Sequence, residues 1–266
     1  MLELLVLAIA PGVFLTWFFY VRDRYEREPR KLIMLTYVLG VLSVIPTFFI
    51  ELFGEWLLPH DGLITLLVDV FIVIALTEEF MKFCAVRVLA YRSPEFNEVM
   101  DGIVYCAVAA LGFATLENVI YVLKYGFVTG VMRAVLSVPG HALWGGIMGY
   151  QVGLAKFHGV NENMRFLLGL LDAVFLHGLY DFIVFFFDVV LSLFMLAVLM
   201  ILSSASLYAL MKKASEASPF RIRVPTRVQQ GLFCPHCGRP MVYFQAYDVW
   251  YCYLCGTYYR ERHDVY

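Results

Sequence analysis

Charged residues are scarce in this sequence. Only 16% of the 266 residues are Asp, Glu, Lys or Arg, whereas 61% are hydrophobic. Soluble domains carry about 25% charged residues, and a single core surrounded by water has no room for so much apolar side chain. The scarcity excludes an ordinary soluble domain and predicts insertion in a bilayer, which about 20 apolar residues span as a helix. The net charge of −2 gives no reason to expect a nucleic-acid partner.

The first apolar run lacks the features of a removable signal peptide. It begins Met1-Leu2-Glu3 without basic residues and contains Pro11, and no small-residue cleavage site precedes the basic cluster that starts at Arg22. We therefore expect this run to be retained as the first membrane span.

Apolar runs separated by charged residues or by Gly and Pro predict seven membrane spans. The expected spans are about 2–21, 32–53, 63–87, 99–123, 131–155, 166–187 and 189–211. Asp188 is the only turn signal between the last two, so that boundary is the weakest. The expected fold class is an all-α polytopic protein of the cell membrane, with a small β domain at its C-terminus.

Lys and Arg residues are unevenly distributed between alternate loops. A basic cluster from Arg22 to Lys31 follows the first span, and further Lys and Arg follow the third, fifth and seventh spans. The opposite side has only Lys124 and Arg133. Because cytoplasmic loops hold the excess of basic residues, we expect the N-terminus outside and the C-terminus in the cytoplasm.

The last part of the chain carries a paired cysteine motif. Cys234-x-x-Cys237 and Cys252-x-x-Cys255 are separated by 14 residues, the pattern of a zinc ribbon with a structural Zn²⁺. The Tyr-, Phe- and Val-rich run 241–250 suits the hairpin of such a ribbon.

The composition divides the chain into three parts. We expect a transmembrane protease-like domain at 1–212, a polar linker at 213–230 and a cytoplasmic zinc ribbon at 231–266. The sequence does not identify the ribbon's binding partner, but it favours a protein over a nucleic acid.

Ionisable side chains are rare inside the predicted spans, and those present come in motif-like groups. Each costs about 2.5–3.5 kcal/mol near the centre of a span unless it is paired, so they are expected to face one another or a wet cavity. The candidate site residues are Glu78, Glu79, Lys82, Glu117, Asn118, His141, His177 and Asp181.

The spacing of these residues supports one shared site. On a helix, Lys82 can reach Glu78 one turn earlier or Glu79 three positions earlier. His177 and Asp181 are also one turn apart, so the carboxylate can fix the tautomer of the imidazole.

A glycine stripe directs His141 into the bundle. Gly145, Gly149 and Gly153 follow it at steps of four and predict the close approach of another helix. Asp69 and Asp172 are expected to be packing or second-site residues, and Asp101, at the end of a span, is expected to lie at the membrane interface.

Motifs of several protease classes are missing from the sequence. It shows no Ser-His-Asp or Cys-His arrangement, no GxGD-like aspartate pair and no HExxH. A Glu that activates water, with His and Asn donors for the oxyanion, would hydrolyse an amide without a covalent nucleophile. The alternatives are a proton-coupled transporter and a non-catalytic receptor or scaffold with an interaction ribbon.

Four motifs in order resemble the PrsW family of intramembrane proteases, part of the wider CPBP superfamily that includes the CaaX endopeptidases. They are Glu78-Glu79-x-x-Lys82, Phe113-x-x-x-Glu117-Asn118, HALWGGIMGY from His141, and His177-x-x-x-Asp181. The resemblance implies site-one-type cleavage of a single-pass membrane regulator, such as an anti-sigma factor.

The resemblance also implies roles for these residues. Glu78 would activate the attacking water, and Glu79 with Lys82 would set its charge state. His177 and Asp181 would bind or polarise the scissile carbonyl. Whether catalysis uses a metal ion is left open, because Glu and His also bind zinc. The lack of HExxH favours metal-independent catalysis.

Overall fold

Long helices make up most of the structure. The computed structural model describes residues 1–59, 62–157, 161–221, 232–244, 249–252, 254–255 and 257–259. The helices in these ranges are α1 (Leu2–Arg22), α2 (Arg30–Leu57), α3 (Leu63–Val68), a π-helix (Asp69–Leu76), α4 (Thr77–Val88), a short 3₁₀ turn (Ala90–Arg92), α5 (Val99–Tyr125), α6 (Phe127–Val135), α7 (Ser137–Phe157), α8 (Glu162–Phe186) and α9 (Val189–Ala217).

The helices confirm a polytopic membrane protein. Among the described residues, five helices are long and apolar enough to cross a membrane, namely α1, α2, α5, α8 and α9. The third predicted span corresponds to α3, the π-helix and α4, which follow one another without a break. The fifth corresponds to α7, whose hydropathy is lowered by its glycines and by His141 and Gln151.

Helix ends explain where the predicted spans were accurate and where they were not. Asp188 caps α9, because its Oδ1 accepts from the amides of Val190 and Leu191 at 3.1 and 3.2 Å. The fifth span was predicted from residue 131, but a separate helix, α6, ends at Val135 and α7 begins at Ser137. The seventh was predicted to end at 211, whereas α9 continues to Ala217.

Helix α5 lies at the centre of the bundle. Its most apolar 18-residue window is 94% buried, compared with 17% for α1 and 22% for α9. It packs against α1, α2 and α7. The polar residues Asp101, Thr115 and Asn118 of α5 are therefore buried inside the protein.

Glycines allow α5 and α7 to pack in backbone contact, as the stripe on α7 predicted. A Cβ atom on Gly149 would lie 2.1 Å from the carbonyl oxygen of Gly102, and one on Gly153 would lie 2.6 Å from that of Val99. Real Cβ atoms do not approach backbone atoms so closely. This contact places His141, at the start of the same helix, beside α5.

A three-stranded antiparallel sheet forms the C-terminal domain. Its strands are β1 (Val242–Phe244), β2 (Val249–Cys252) and β3 (Thr257–Tyr259), in the order β1-β2-β3. The predicted strand-like run 241–250 thus contains β1 and the start of β2, and residues 245–248 lie outside the described residues.

The ribbon contacts the helical bundle. The hydroxyl of Tyr258 donates to the carbonyl of Asn97, in the loop before α5. Its ring also lies 5.8 Å from that of Phe157, at the end of α7. The ribbon therefore lies at the end of the bundle formed by the α1–α2, α4–α5 and α7–α8 connections.

The α5–α7 contact gives a prediction with a control on the same helix. Gly149→Ala should destabilise the protein by about 1–3 kcal/mol, because the new methyl group meets backbone that cannot move aside. Gly146→Ala meets only the flexible end of Leu207, at 2.9 Å, and should stay close to wild type. Thermal unfolding in detergent measures both, and equal effects would contradict the packing described here.

Candidate active site

Four helices bring all eight predicted site residues into one region of the bundle interior. Helix α4 supplies Glu78, Glu79 and Lys82, α5 supplies Glu117 and Asn118, α7 supplies His141, and α8 supplies His177 and Asp181. The π-helix Asp69–Leu76 ends directly before α4. Such segments change the rotation of the following turn and are frequent at functional sites.

The ammonium group of Lys82 is the hub of the site. Its Nζ donates to Glu78 Oε2 and Glu79 Oε1, both at 2.8 Å, and to His141 Nδ1 at 2.9 Å. It also lies 4.2 Å from the centre of the Phe113 ring. An ammonium has three donors, so all of them are used, and the side chain is fully buried.

The contacts of His141 determine its tautomer. Lysine can only donate, so Nδ1 must accept from Lys82 and the proton must lie on Nε2. Nε2 lies 3.0 Å from Glu117 Oε2 and donates to it. The same oxygen is paired with Arg133 Nη2 at 2.7 Å.

His177 lies between two carboxylates. Its Nδ1 is 2.9 Å from Glu79 Oε1, and its Nε2 is 3.4 Å from Asp181 Oδ2. The ring stacks on Trp144, with centroids 5.0 Å apart and planes 21° apart. The imidazole is therefore fixed at both nitrogens and on one face.

Exposure distinguishes the four acidic residues. The side chain of Glu79 is completely buried, and its Oε2 has no hydrogen-bond partner among the described residues. The side chain of Glu78 is 6% exposed, and those of Glu117 and Asp181 are each 16% exposed. The site is therefore most accessible on the side of Glu117 and Asp181, less so at Glu78, and Glu79 lies behind them.

Two charged residues near the site were not predicted. Arg133, assigned from the sequence to a loop, lies on α6, pairs with Glu117 and donates from Nε to Asn118 Oδ1 at 3.1 Å. Glu51, near the end of the second predicted span, lies in α2, close enough to Glu78 and Lys82 for their charges to interact. Nothing in an apolar run shows which way its terminal charged residues point.

Three aspartates expected to lie outside the site do so. Asp172 is exposed, and Asp69 is partly exposed in the π-helix. Asp101, expected at the membrane interface, is instead fully buried in the first turn of α5. Its position at a helix end was correct, but its surroundings are protein.

Comparison with known proteins identifies the family of this chain. A family model described as "PrsW family intramembrane metalloprotease" matches residues 28–207, which include all eight site residues. The chain belongs to the PrsW family. Membership decides in favour of an intramembrane protease and against the transporter and scaffold alternatives.

Curated PrsW proteins are similar over most of their length. "Protease PrsW" of Geobacillus kaustophilus (strain HTA426) is 40% identical over 184 residues, 69% of this chain and 80% of the relative. The Bacillus subtilis (strain 168) protein is 38% identical over 69% and 83%. The Shouchella clausii (strain KSM-K16) protein is 33% identical over 81% and 98%. No solved structure matches the chain.

The family description raises the question of whether this site fits a metal ion. Glu78, Glu79, His141 and His177 offer ligand atoms within 4.8 Å of one another, and these residue types suit zinc. However, Lys82 already lies between the two carboxylates and His141. Both nitrogens of each imidazole are also engaged. The donor types fit a metal, but the arrangement around the ammonium does not.

Removing the central cation should be strongly destabilising. Lys82→Met leaves two buried carboxylates without their partner, at a cost of about 3–5 kcal/mol. Adding Glu78→Gln and Glu79→Gln to that variant should restore most of the stability, because the uncompensated charges are gone.

Thermal unfolding in detergent tests this coupling. The control is Lys212→Met, which removes an exposed lysine 4.0 Å from Glu216 and should change stability by less than about 1 kcal/mol. A Lys82→Met variant as stable as this control would show that the ammonium is not the hub of the site.

Proposed function

We propose that this PrsW-family protease cleaves a peptide bond of a membrane protein in a site-one-type step, using a water molecule activated by Glu78. The observation that carries the proposal is the pair of carboxylates around Lys82, of which only Glu78 has access to solvent. A general base must reach both the water and the bond to be cleaved. Glu79, fully buried and in contact with Lys82 and His177, is a positioning residue.

Charge balance supports Glu78 as the base. The four carboxylates of the site face two fixed cations, Lys82 and Arg133, and the imidazole of His177, so an excess of negative charge remains even when His177 is protonated. A carboxylate that accepts a proton from water relieves that excess. Lys82 Nζ contacts only Oε2 of Glu78 among the described hydrogen bonds, which leaves Oε1 for water.

His177 and Asp181 are placed to act on the scissile carbonyl. The 3.4 Å separation of His177 Nε2 and Asp181 Oδ2 is longer than a strong hydrogen bond, so a substrate oxygen can take over the Nε2–H. A donor aimed at an oxyanion in a dry site typically contributes a factor of about 10²–10³ in rate. Glu79, on Nδ1, holds the ring in position.

Asn118 is better suited to positioning than to oxyanion binding. Its Nδ2 donates to the carbonyl of Ala8 at 2.9 Å, and its Oδ1 accepts from Arg133. The amide thus joins α1, α5 and α6 behind the site. Arg133 in turn neutralises Glu117.

The expected substrate is a single-pass membrane regulator. A site inside the bundle, reached from one side, suits a peptide segment that is presented in the bilayer. We also propose that the ribbon end of the bundle is cytoplasmic, because the basic cluster Arg22 to Lys31 lies at that end. The ribbon would then meet a cytoplasmic partner, more plausibly a protein than a nucleic acid.

The four ribbon cysteines suit a structural Zn²⁺. Their sulfurs lie within 4.8 Å of one another, with Cys234 and Cys255 3.9 Å apart and Cys237 and Cys252 3.5 Å apart. Thiolates about 2.3 Å from one tetrahedral ion are separated by about 3.8 Å. Gly238, at φ 69°, turns the first knuckle, where its amide donates to the carbonyl of Cys234 at 2.8 Å.

Removing the proposed base gives the main functional prediction. Glu78→Gln should abolish cleavage while leaving the unfolding temperature nearly unchanged, because Gln keeps the volume and the contact with Lys82 but takes no proton. His177→Ala should lower the rate by about 10²–10³. Asp172→Asn, an exposed change on the same helix as His177, should be close to wild type.

Cleavage of a single-pass substrate by purified protein in detergent is the readout. Cleavage by Glu78→Gln at near the wild-type rate would contradict the assignment of Glu78 as the general base. A double variant with Glu79→Gln then distinguishes a base at Glu79 from a mechanism that uses neither carboxylate.

The ribbon should hold one Zn²⁺ per chain. Cys252→Ser combined with Cys255→Ser should remove that ion, measured by elemental analysis, while the helical signal in circular dichroism persists. Cys84→Ser, in α4 and away from the ribbon, is the matched control and should keep the ion. Zinc content unaffected by the double change would contradict the four-cysteine site.

A further inference from the structure

A second group of acidic residues lies at the ribbon end of the bundle. Asp23, after α1, and Glu98 and Asp101, at the start of α5, each place a carboxylate oxygen within 4.8 Å of the others. Their exposures are 1%, 2% and 0%. Asp101 precedes Glu117 by 16 positions on α5, about 24 Å along a helix, so this group is separate from the active site.

Several of these buried oxygens lack a partner. Asp101 Oδ2 accepts from the amides of Asn97 and Glu98, at 2.5 and 2.8 Å, and caps α5. Its Oδ1 accepts from no N–H or O–H donor of another residue type among the described residues, although the carboxyl groups of Asp101 and Glu28 are close enough to share a proton. Asp23 Oδ2 also has no hydrogen-bond partner in that part of the chain. Glu28 brings a further carboxylate next to Asp101, with one oxygen accepting from the Tyr105 hydroxyl and Oε1 unpartnered.

No basic side chain among the described residues forms a direct ion pair with this group, although the charge of Arg27 acts on Asp23. Within the described part of the chain, no Lys, Arg or His lies within 4.0 Å of a carboxylate oxygen of Asp23, Glu98 or Asp101. Lys156 is near enough for its charge to interact with that of Asp101, but its Nζ donates to the carbonyls of Tyr91 and Ser93 at 2.9 and 3.2 Å. Buried carboxylates are normally paired or coordinate a metal ion.

We propose that Asp23, Glu98 and Asp101 bind one hard divalent cation, of the Mg²⁺ and Ca²⁺ class, that joins the α1–α2 connection to the start of α5. The donors are all oxygen, with no imidazole or thiolate, which favours these ions over zinc. Each ligand comes from a connection or a first helical turn, so the ion would join the α1–α2 connection to the start of α5 at one point. The carbonyl of Asn97, the residue directly before Glu98, accepts a hydrogen bond from the ribbon's Tyr258.

Binding of ⁴⁵Ca²⁺ to the full-length protein in detergent is the direct test, because Ca²⁺ has little affinity for the ribbon thiolates or the active-site imidazoles. We expect one saturable Ca²⁺ per chain, competed by Mg²⁺ if the site accepts the smaller ion. Added Ca²⁺ should also raise the unfolding temperature. Absence of saturable binding at millimolar Ca²⁺ overturns the proposal, and this result needs no variant.

Variants locate the ion. Asp101→Asn keeps an oxygen for the two capping amides but removes a charged ligand, so it should weaken Ca²⁺ binding by on the order of tenfold or more. Glu98→Gln is a second variant, should Asp101→Asn fail to fold. Glu95→Gln, an exposed acid three positions earlier, is the matched control and should bind as wild type does.

Two outcomes of the variant series count against the site. Equal Ca²⁺ binding by Asp101→Asn, Glu98→Gln and the control would place the ion elsewhere. An Asp101→Asn protein that is more stable than wild type, with no response to Ca²⁺ in either, would show that the carboxylates share protons and not a cation.

Discussion

The contact of one lysine with two glutamates, buried inside a helical bundle, is the constraint on which the rest of this structure depends. Ions taken out of water must be compensated almost completely, because an unpaired one costs several kcal/mol. Lys82 pairs with Glu78 and Glu79 at once, and it also donates to the neutral imidazole of His141. The other helices must then approach closely enough for their polar side chains to reach this site. The glycines that let α5 and α7 pack in backbone contact allow that approach.

These pairs form one connected network across the bundle. It runs from Arg133 through Glu117 and His141 to Lys82, and then through Glu79 to His177 and Asp181. Each member orients the next, so the base and the carbonyl-binding side are held before a substrate arrives. Such preorganisation is what a hydrolytic site in a dry interior requires, since no water reorganises to stabilise the developing charge.

The sequence predicted the motifs and most of the architecture because both rest on local signals. An ionisable residue in an apolar run stands out because burying it in the bilayer costs free energy. Asp188 correctly indicated the last turn because Asp is a common helix N-cap. Arg133, Glu51 and the burial of Asp101 were missed for a common reason. Each lies at the end of an apolar run. The sequence pattern there is the same whether the charged side chain faces water or is buried in the bundle. The π-helix before Glu78 depends on packing against α2 and α8, which no local pattern reveals.

The proposed lysine-centred mechanism needs no metal ion, and the metal content of active enzyme provides a decisive test. Protein carrying Cys252→Ser and Cys255→Ser would be assayed for cleavage and for transition metals in the same preparation, so that ribbon zinc does not contribute. The account predicts active protein with far less than one transition-metal ion per chain and no loss of activity on chelation. One zinc ion per chain that is lost and regained together with activity would contradict it.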